Sequence, residues 1–169
     1  MRILSITVEG FGSIVTPITF DFNKQGIFLL RGANGVGKST LLSALVWGLF
    51  QTNLKGGTVG AVSTREANRG IGFRGTRVIV ELQKEHTIIR IARHIHYKDT
   101  TFDIVGGSNL LIQSEDRHGN KVLYNGQYKM NQQEYINTLL GIDERLFLNS
   151  VMFGQRMGSL ASATDKDKR

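Results

Sequence analysis

An α/β fold, with a mixed sheet that includes an antiparallel β meander, is what this chain predicts, and three observations carry it. An apolar run, Gly26-Ile27-Phe28-Leu29-Leu30-Arg31, feeds a glycine-rich loop that opens into the apolar segment Ser39 to Phe50. A series of β-type stretches separated by tight turns follows between residues 76 and 124. From Asn131 onward the patterning becomes helical.

Taken in order, Ile3 to Glu9 alternates apolar and polar residues, and Gly10-Phe11-Gly12-Ser13 turns the chain. Ile14 to Phe20 returns as a second strand, where Pro17 argues for a sheet edge because proline has no N–H for a ladder. Gly26 to Arg31 reads as a buried strand, and Ser39 to Phe50 as a helix. Residues 51–75 are rich in glycine and arginine with little hydrophobic period, so they read as a long surface loop with a short helical piece near Arg65–Asn68. Thr76–Leu82 and His86–His96 make a strand pair around a Lys84-Glu85 turn. Shorter strands are expected at Thr101–Val105, Leu110–Gln113 and Lys121–Tyr124, the last two joined by the turn Asp116–Asn120. Asn131-Gln132-Gln133-Glu134 has capping-box spacing ahead of Tyr135–Leu140, and Gly141 can end that helix. Asp143-Glu144 places negative charge at the start of another helix, Arg145 to Ser150.

The loop Gly32-Ala33-Asn34-Gly35-Val36-Gly37-Lys38-Ser39 satisfies G-x-x-x-x-G-K-[ST], and its setting between strand and helix is the one that motif requires. Glycine lets consecutive N–H groups turn inward onto phosphate oxygens. The first helical turn adds unpaired donors and a positive dipole end. Lys38 is placed for the β- and γ-phosphates and Ser39 for Mg²⁺. The plain alternative is a glycine-rich turn ahead of an ordinary helix.

Composition fits one soluble domain of 169 residues. With no cysteine, disulfides and thiolate metal sites are excluded. No apolar run approaches the ~18 residues of a membrane span, and Met1–Ser5 lacks a signal-peptide core, so no membrane partner is expected. A net charge of +7 invites an acidic partner, nucleic acid first.

Together these residues resemble the N-terminal lobe of the ATPase head in SMC-like repair proteins of the SbcC type, including the large subunit of phage recombination endonucleases. Three pieces carry the likeness: the first strand with its Glu9–Ser13 turn, Gly26–Phe50 with the G-x-N-G-x-G-K-S-T form of the loop, and Ser150-Val151-Met152-Phe153-Gly154-Gln155. The resemblance implies an ABC/SMC-type P-loop head lobe over residues 1–160, with 161–169 a polar tail or the start of a coiled-coil helix. It implies ATP and Mg²⁺ as cofactors, held by Gly32, Ala33, Asn34, Gly35, Val36, Gly37, Lys38, Ser39 and Thr40. Lys38 and Gln155 take catalytic roles, with Ser39 and Gln155 at the metal. The implied partners are a C-terminal lobe of the same protein, a second head, an SbcD-type nuclease subunit and double-stranded DNA. The implied compartment is cytoplasmic, or nuclear in a eukaryote.

The chain departs from that pattern in places. Such heads usually carry a basic residue where Gly12 stands, so its role falls to a neighbour such as Lys24 or Arg31, or is lost. There is no apolar run ending in Asp-Glu to hold Mg²⁺ and polarise water, and no Leu-Ser-Gly-Gly signature; Leu54-Lys55-Gly56-Gly57 is only a weak imitation in the wrong place. In the resembled proteins both elements lie in the C-terminal lobe, so a half-site is expected that hydrolyses ATP only when complemented. Two rivals are a free-standing P-loop nucleoside or nucleotide kinase, opposed by the meander in place of βαβα order, and a module that binds nucleotide without hydrolysing it.

Strand alternation around Ile89–Lys98 sets Ile89, Ile91, Ile95 and Tyr97 against Arg90, His94, His96 and Lys98. The second set reads as a basic stripe, with Arg65, Arg69, Arg74 and Arg77 near in sequence, either a solvated face or a DNA surface. His94-x-His96 reads as part of that face, not a metal site, because no carboxylate or cysteine accompanies it.

Overall fold

The computed structural model describes residues 1–22, 24, 26–52, 74–95, 110–124 and 131–150. They form β1 (Arg2–Glu9), β2 (Ile18–Asp21), α1 (Lys38–Phe50), β3 (Thr76–Lys84), β4 (Thr87–Ile95), β5 (Leu110–Glu115), β6 (Lys121–Tyr124), α2 (Gln132–Leu140) and α3 (Glu144–Ser150). The strands make one sheet in the order β2-β1-β3-β4-β5-β6. No helix among them is long and apolar enough to cross a membrane.

Side-chain alternation decides which face of this sheet takes the helices. Ile6 pairs with Val80, Val80 with Ile91, and Ile91 with Ile112, so one row of buried aliphatic residues crosses four strands. Burying each such side chain contributes about 1.5–3 kcal/mol. One register step along, Ser5, Glu81, Arg90 and Gln113 form the matching row on the opposite, polar face. α1 lies on the apolar face. A Cβ on Gly48 would approach Val78 Cγ1 to 2.9 Å and Val80 Cγ2 to 3.0 Å, so glycine there sets how closely helix and sheet meet. The last turns of α1 are enclosed on every side, with Val46, Trp47, Leu49 and Phe50 all buried. Trp47 packs against Phe11 at 5.6 Å between ring centroids, and Phe50 against Phe147 of α3 at 5.2 Å.

Several expectations hold. Pro17 precedes β2, which is indeed an edge strand. The capping box of α2 is formed in both directions between Asn131 and Glu134, and Gly141 closes that helix at φ 71°. The return strand is shorter than expected, because Phe11 and Ile14 close a tight bridge first and pairing with β1 resumes only at Ile18.

Two expectations are corrected. Among the described residues the sheet is not mixed, since all five strand pairings there are antiparallel. The run Gly26–Arg31 is not a buried strand: residues 26–31 join no ladder, and Ile27, Phe28, Leu29 and Leu30 are 102%, 49%, 71% and 41% exposed. The physical reason is shared. β1 already has β2 on one side and β3 on the other, so no central position is open to a parallel strand from this segment. Phe28 anchors it edge-on to Phe22 at 5.3 Å. The expected strand at 101–105, the helical piece at 65–68 and the tail from 161 lie outside the described residues.

Candidate functional site

The loop between residue 31 and α1 is built as its sequence requires. Gly37 is the N-cap of α1 at φ 100°, ψ 15°, a left-handed conformation closed to most side-chain-bearing residues. No side chain caps this helix, and its first turn carries no acidic residue. The contrast with α2, whose start is sealed by Asn131 and Glu134, is informative. α1 instead begins with a lysine, which the positive end of a helix disfavours unless an anion joins it.

Lys38 Nζ donates to the carbonyl oxygens of Gly32 at 2.7 Å and Ala33 at 2.8 Å. The ammonium is therefore folded over the loop's entrance, where a polyphosphate would meet it. Ser39 is exposed beside it, as are Gly32, Ala33, Asn34, Gly35 and Val36. Gly32 keeps its place for a different reason from Gly37: a Cβ there would lie 2.8 Å from Val36 Cγ2.

The turn after β1 packs on the start of α1. Gly12 has φ 58°, and a Cβ built on it would sit 2.8 Å from Thr40 Cγ2. At this position, basic in the resembled heads, a side chain would crowd Thr40 as well as strain the backbone. Lys24 and Arg31, the neighbours expected to take over, are exposed. Gln155 lies outside the described residues, so the structure brings the loop, Lys38, Ser39 and Thr40 together without it.

The far end of α1 holds a residue that pattern reading missed. Arg93 is 3% exposed and occupies the apolar face of β4, in register with Val78. Its guanidinium donates to Gly48 O (3.2 Å), Leu49 O (3.4 Å), Gln51 Oε1 (3.2 Å) and Gln133 Oε1 (2.8 Å). Gln133 Nε2 also donates to Leu49 O at 2.9 Å, tying α2 to the same helix end. A cation at a helix C-terminus is favoured by the dipole, yet burial still pushes Arg93 down to about 10. Its parity is that of Ile89 and Ile91, not of the basic set, which marks it as inward-facing but not what it meets there.

The described arginines of the basic stripe are engaged within the protein. Arg90 holds Glu81 Oε1 with Nη2 at 2.6 Å and Nε at 2.9 Å, and reaches Gln113 Oε1 at 3.3 Å. Burial pushes the Glu81 carboxyl up, but hydrogen bonds from Ser5 and Arg90, with the Arg90 charge, bring it below its ordinary value. Glu9, 1% exposed, receives Arg74 at 3.0 Å and Arg77 at 3.1 Å. Desolvation, aided by the Arg77 charge, pushes His94 down, so at neutral pH it is not a cation. His96, Lys98, Arg65 and Arg69 lie outside the described residues. No group of three or more metal-ligating side chains occurs among the described residues.

No curated protein matches the chain. A family model described as an AAA domain matches residues 5–168, a span that contains the glycine-rich loop, the turn packed against it and all of the sheet except the start of β1. With the exposed lysine-bearing loop at the uncapped start of α1, that match carries nucleotide binding. The chain belongs to the AAA domain family of ATPases.

Proposed function

We propose that this chain is the N-terminal, ATP-binding lobe of an SbcC-type DNA-repair ATPase head, completed by a C-terminal lobe and paired with a second head when ATP is bound. The observation that carries this reading is the segment leading into the loop. Ile27 to Leu30 is apolar and strand-like in sequence, yet it is exposed and outside the sheet. An apolar stretch beside a binding loop is a surface made to be covered, and strands from a second lobe are what would cover it. The sequence adds a second support, since it has no acidic pair after an apolar run to hold Mg²⁺ opposite Ser39.

In this head Lys38 neutralises charge between the β- and γ-phosphates, Ser39 ligates Mg²⁺, and Gln155 positions water. The nuclease subunit and duplex DNA are the partners of the assembled head. With Arg90 committed to Glu81, the cations that meet DNA belong to other parts of the chain or to the completing lobe.

The test is calorimetry and turnover on the same preparations. Mg-ATP should bind the chain, and Lys38→Ala should weaken it by about 2–3 kcal/mol, roughly thirty- to a hundred-and-fortyfold, because a charge-assisted phosphate contact is lost. Hydrolysis by the chain alone should be negligible, and should rise when a lobe carrying the missing acidic pair and signature is added. Equal ATP affinity in wild type and Lys38→Ala would refute the nucleotide site. Robust turnover by the chain alone, abolished by Lys38→Ala, would refute the half-site and favour a kinase-like enzyme.

A further inference from the structure

The turn between β1 and β2 brings a hydroxyl to the loop that the motif does not include. Thr40 is β-branched and therefore stiff at χ1. Its methyl faces Gly12, where an added Cβ would come within 2.8 Å, while its Oγ1 lies 3.3 Å from Ser13 Oγ. That same Ser13 Oγ would be 3.0 Å from a Cβ on Gly37, the last glycine of the loop. Ser13 is exposed, so its hydroxyl is not consumed by the core.

The separation is informative. Hydroxyl pairs bond best at about 2.7–2.8 Å, so the 3.3 Å Ser13–Thr40 hydrogen bond is a long one that an anionic acceptor can displace. Two donors that far apart can both reach one acceptor oxygen at about 2.8 Å. A phosphate oxygen, anionic and able to accept several hydrogen bonds, is the natural occupant at the uncapped start of α1. Lys38 takes the β,γ end of a triphosphate and Ser39 the metal, which leaves the α-phosphate for Thr40 and its neighbour.

We propose that Ser13 contacts nucleotide directly, joining Thr40 in a two-hydroxyl clasp on a non-bridging oxygen of the α-phosphate of ATP. The proposal rests on the reading of the loop as an ATP site. Gly12 is part of the device, because a Cβ there would crowd Thr40, whose hydroxyl lies beside Ser13.

The experiment measures binding of Mg-ATP and of the two α-phosphorothioate diastereomers of ATP to the 169-residue chain by calorimetry. Wild type should prefer one diastereomer, because sulfur replaces the clasped oxygen in the other. Ser13→Ala should weaken ATP about three- to tenfold, the worth of one hydrogen bond, and should reduce that preference, with an unchanged thermal midpoint. Gly12→Ala should lower affinity similarly through Thr40. Wild-type ATP affinity in Ser13→Ala would overturn the proposal. So would weaker binding with the diastereomer preference intact, which would make Ser13 a structural residue. Failure of wild type to bind ATP, with Lys38→Ala no different, would remove the ATP site and the clasp together.

Discussion

His94 faces away from α1 on β4, opposite Arg77 on β3, and neither of its ring nitrogens has a hydrogen-bond partner among the described residues. Desolvation and the Arg77 charge disfavour its protonated form in the folded chain. The unfolded state, with an ordinary value of about 6.5, therefore binds more protons over the window below that pH. Stability must then fall as pH drops through about 6.5 and continue to fall until the folded value is passed. Melting curves at pH 7.5, 6.5 and 5.5 check this: wild type should lose more stability on acidification than His94→Gln, whose side chain does not titrate. Parallel losses in the two proteins would place the acid sensitivity elsewhere. The same residue shows the limit of reading charge from sequence, since strand parity put His94 among cations and burial removed it from them.

At the scale of elements, α1 is governed differently at its two ends. Its start is left uncapped for an anion, and its end is sealed by a buried arginine and a glutamine. Replacing Arg93 by Met leaves the buried Gly48 carbonyl and the partly buried Gln133 side chain short of a donor, while the exposed Gln51 turns to water. That should cost about 2–3 kcal/mol in denaturant unfolding, the usual penalty for orphaning buried polar groups. Arg93→Lys should recover less than half, because an ammonium lacks the forked donors that span two helices. A Met variant as stable as wild type would mean that desolvating the cation cancels what its hydrogen bonds return, as buried charges sometimes do. Elements whose determinants are local were legible in the sequence: the α2 capping box, the β6 span and the loop–helix junction appear where residue type alone dictates them. What was not legible depends on neighbours. Arg93 breaks its strand's pattern only because a helix end lies over it. Ser13 matters only because Gly12 lets the turn reach Thr40.

For the whole molecule, the exposed run Ile27–Leu30 is where sequence and structure disagree most, and the disagreement is physical. A run of apolar residues forms a buried strand only if a neighbour offers a free ladder edge and an apolar cover, and β1, paired on both sides, has no such edge. If a second lobe supplies both, charges placed in this run should affect association and spare the isolated fold. Ile27 is fully exposed and Leu29 71% exposed, so Ile27→Lys with Leu29→Lys removes little packing within the described residues. The thermal midpoint of the chain alone should stay within about a degree, as exposed substitutions usually shift stability by less than about 0.5 kcal/mol, and solubility should rise. Mixed with the completing lobe, the doubly charged variant should fail to assemble, since burying two lysines in a sheet without partners costs several kcal/mol. ATP hydrolysis that appears on mixing wild-type lobes should be lost with it, while ATP affinity of the isolated chain stays unchanged. A variant that still assembles and turns over ATP would show that the run is not the joint between lobes, and would leave its exposure without a role in catalysis.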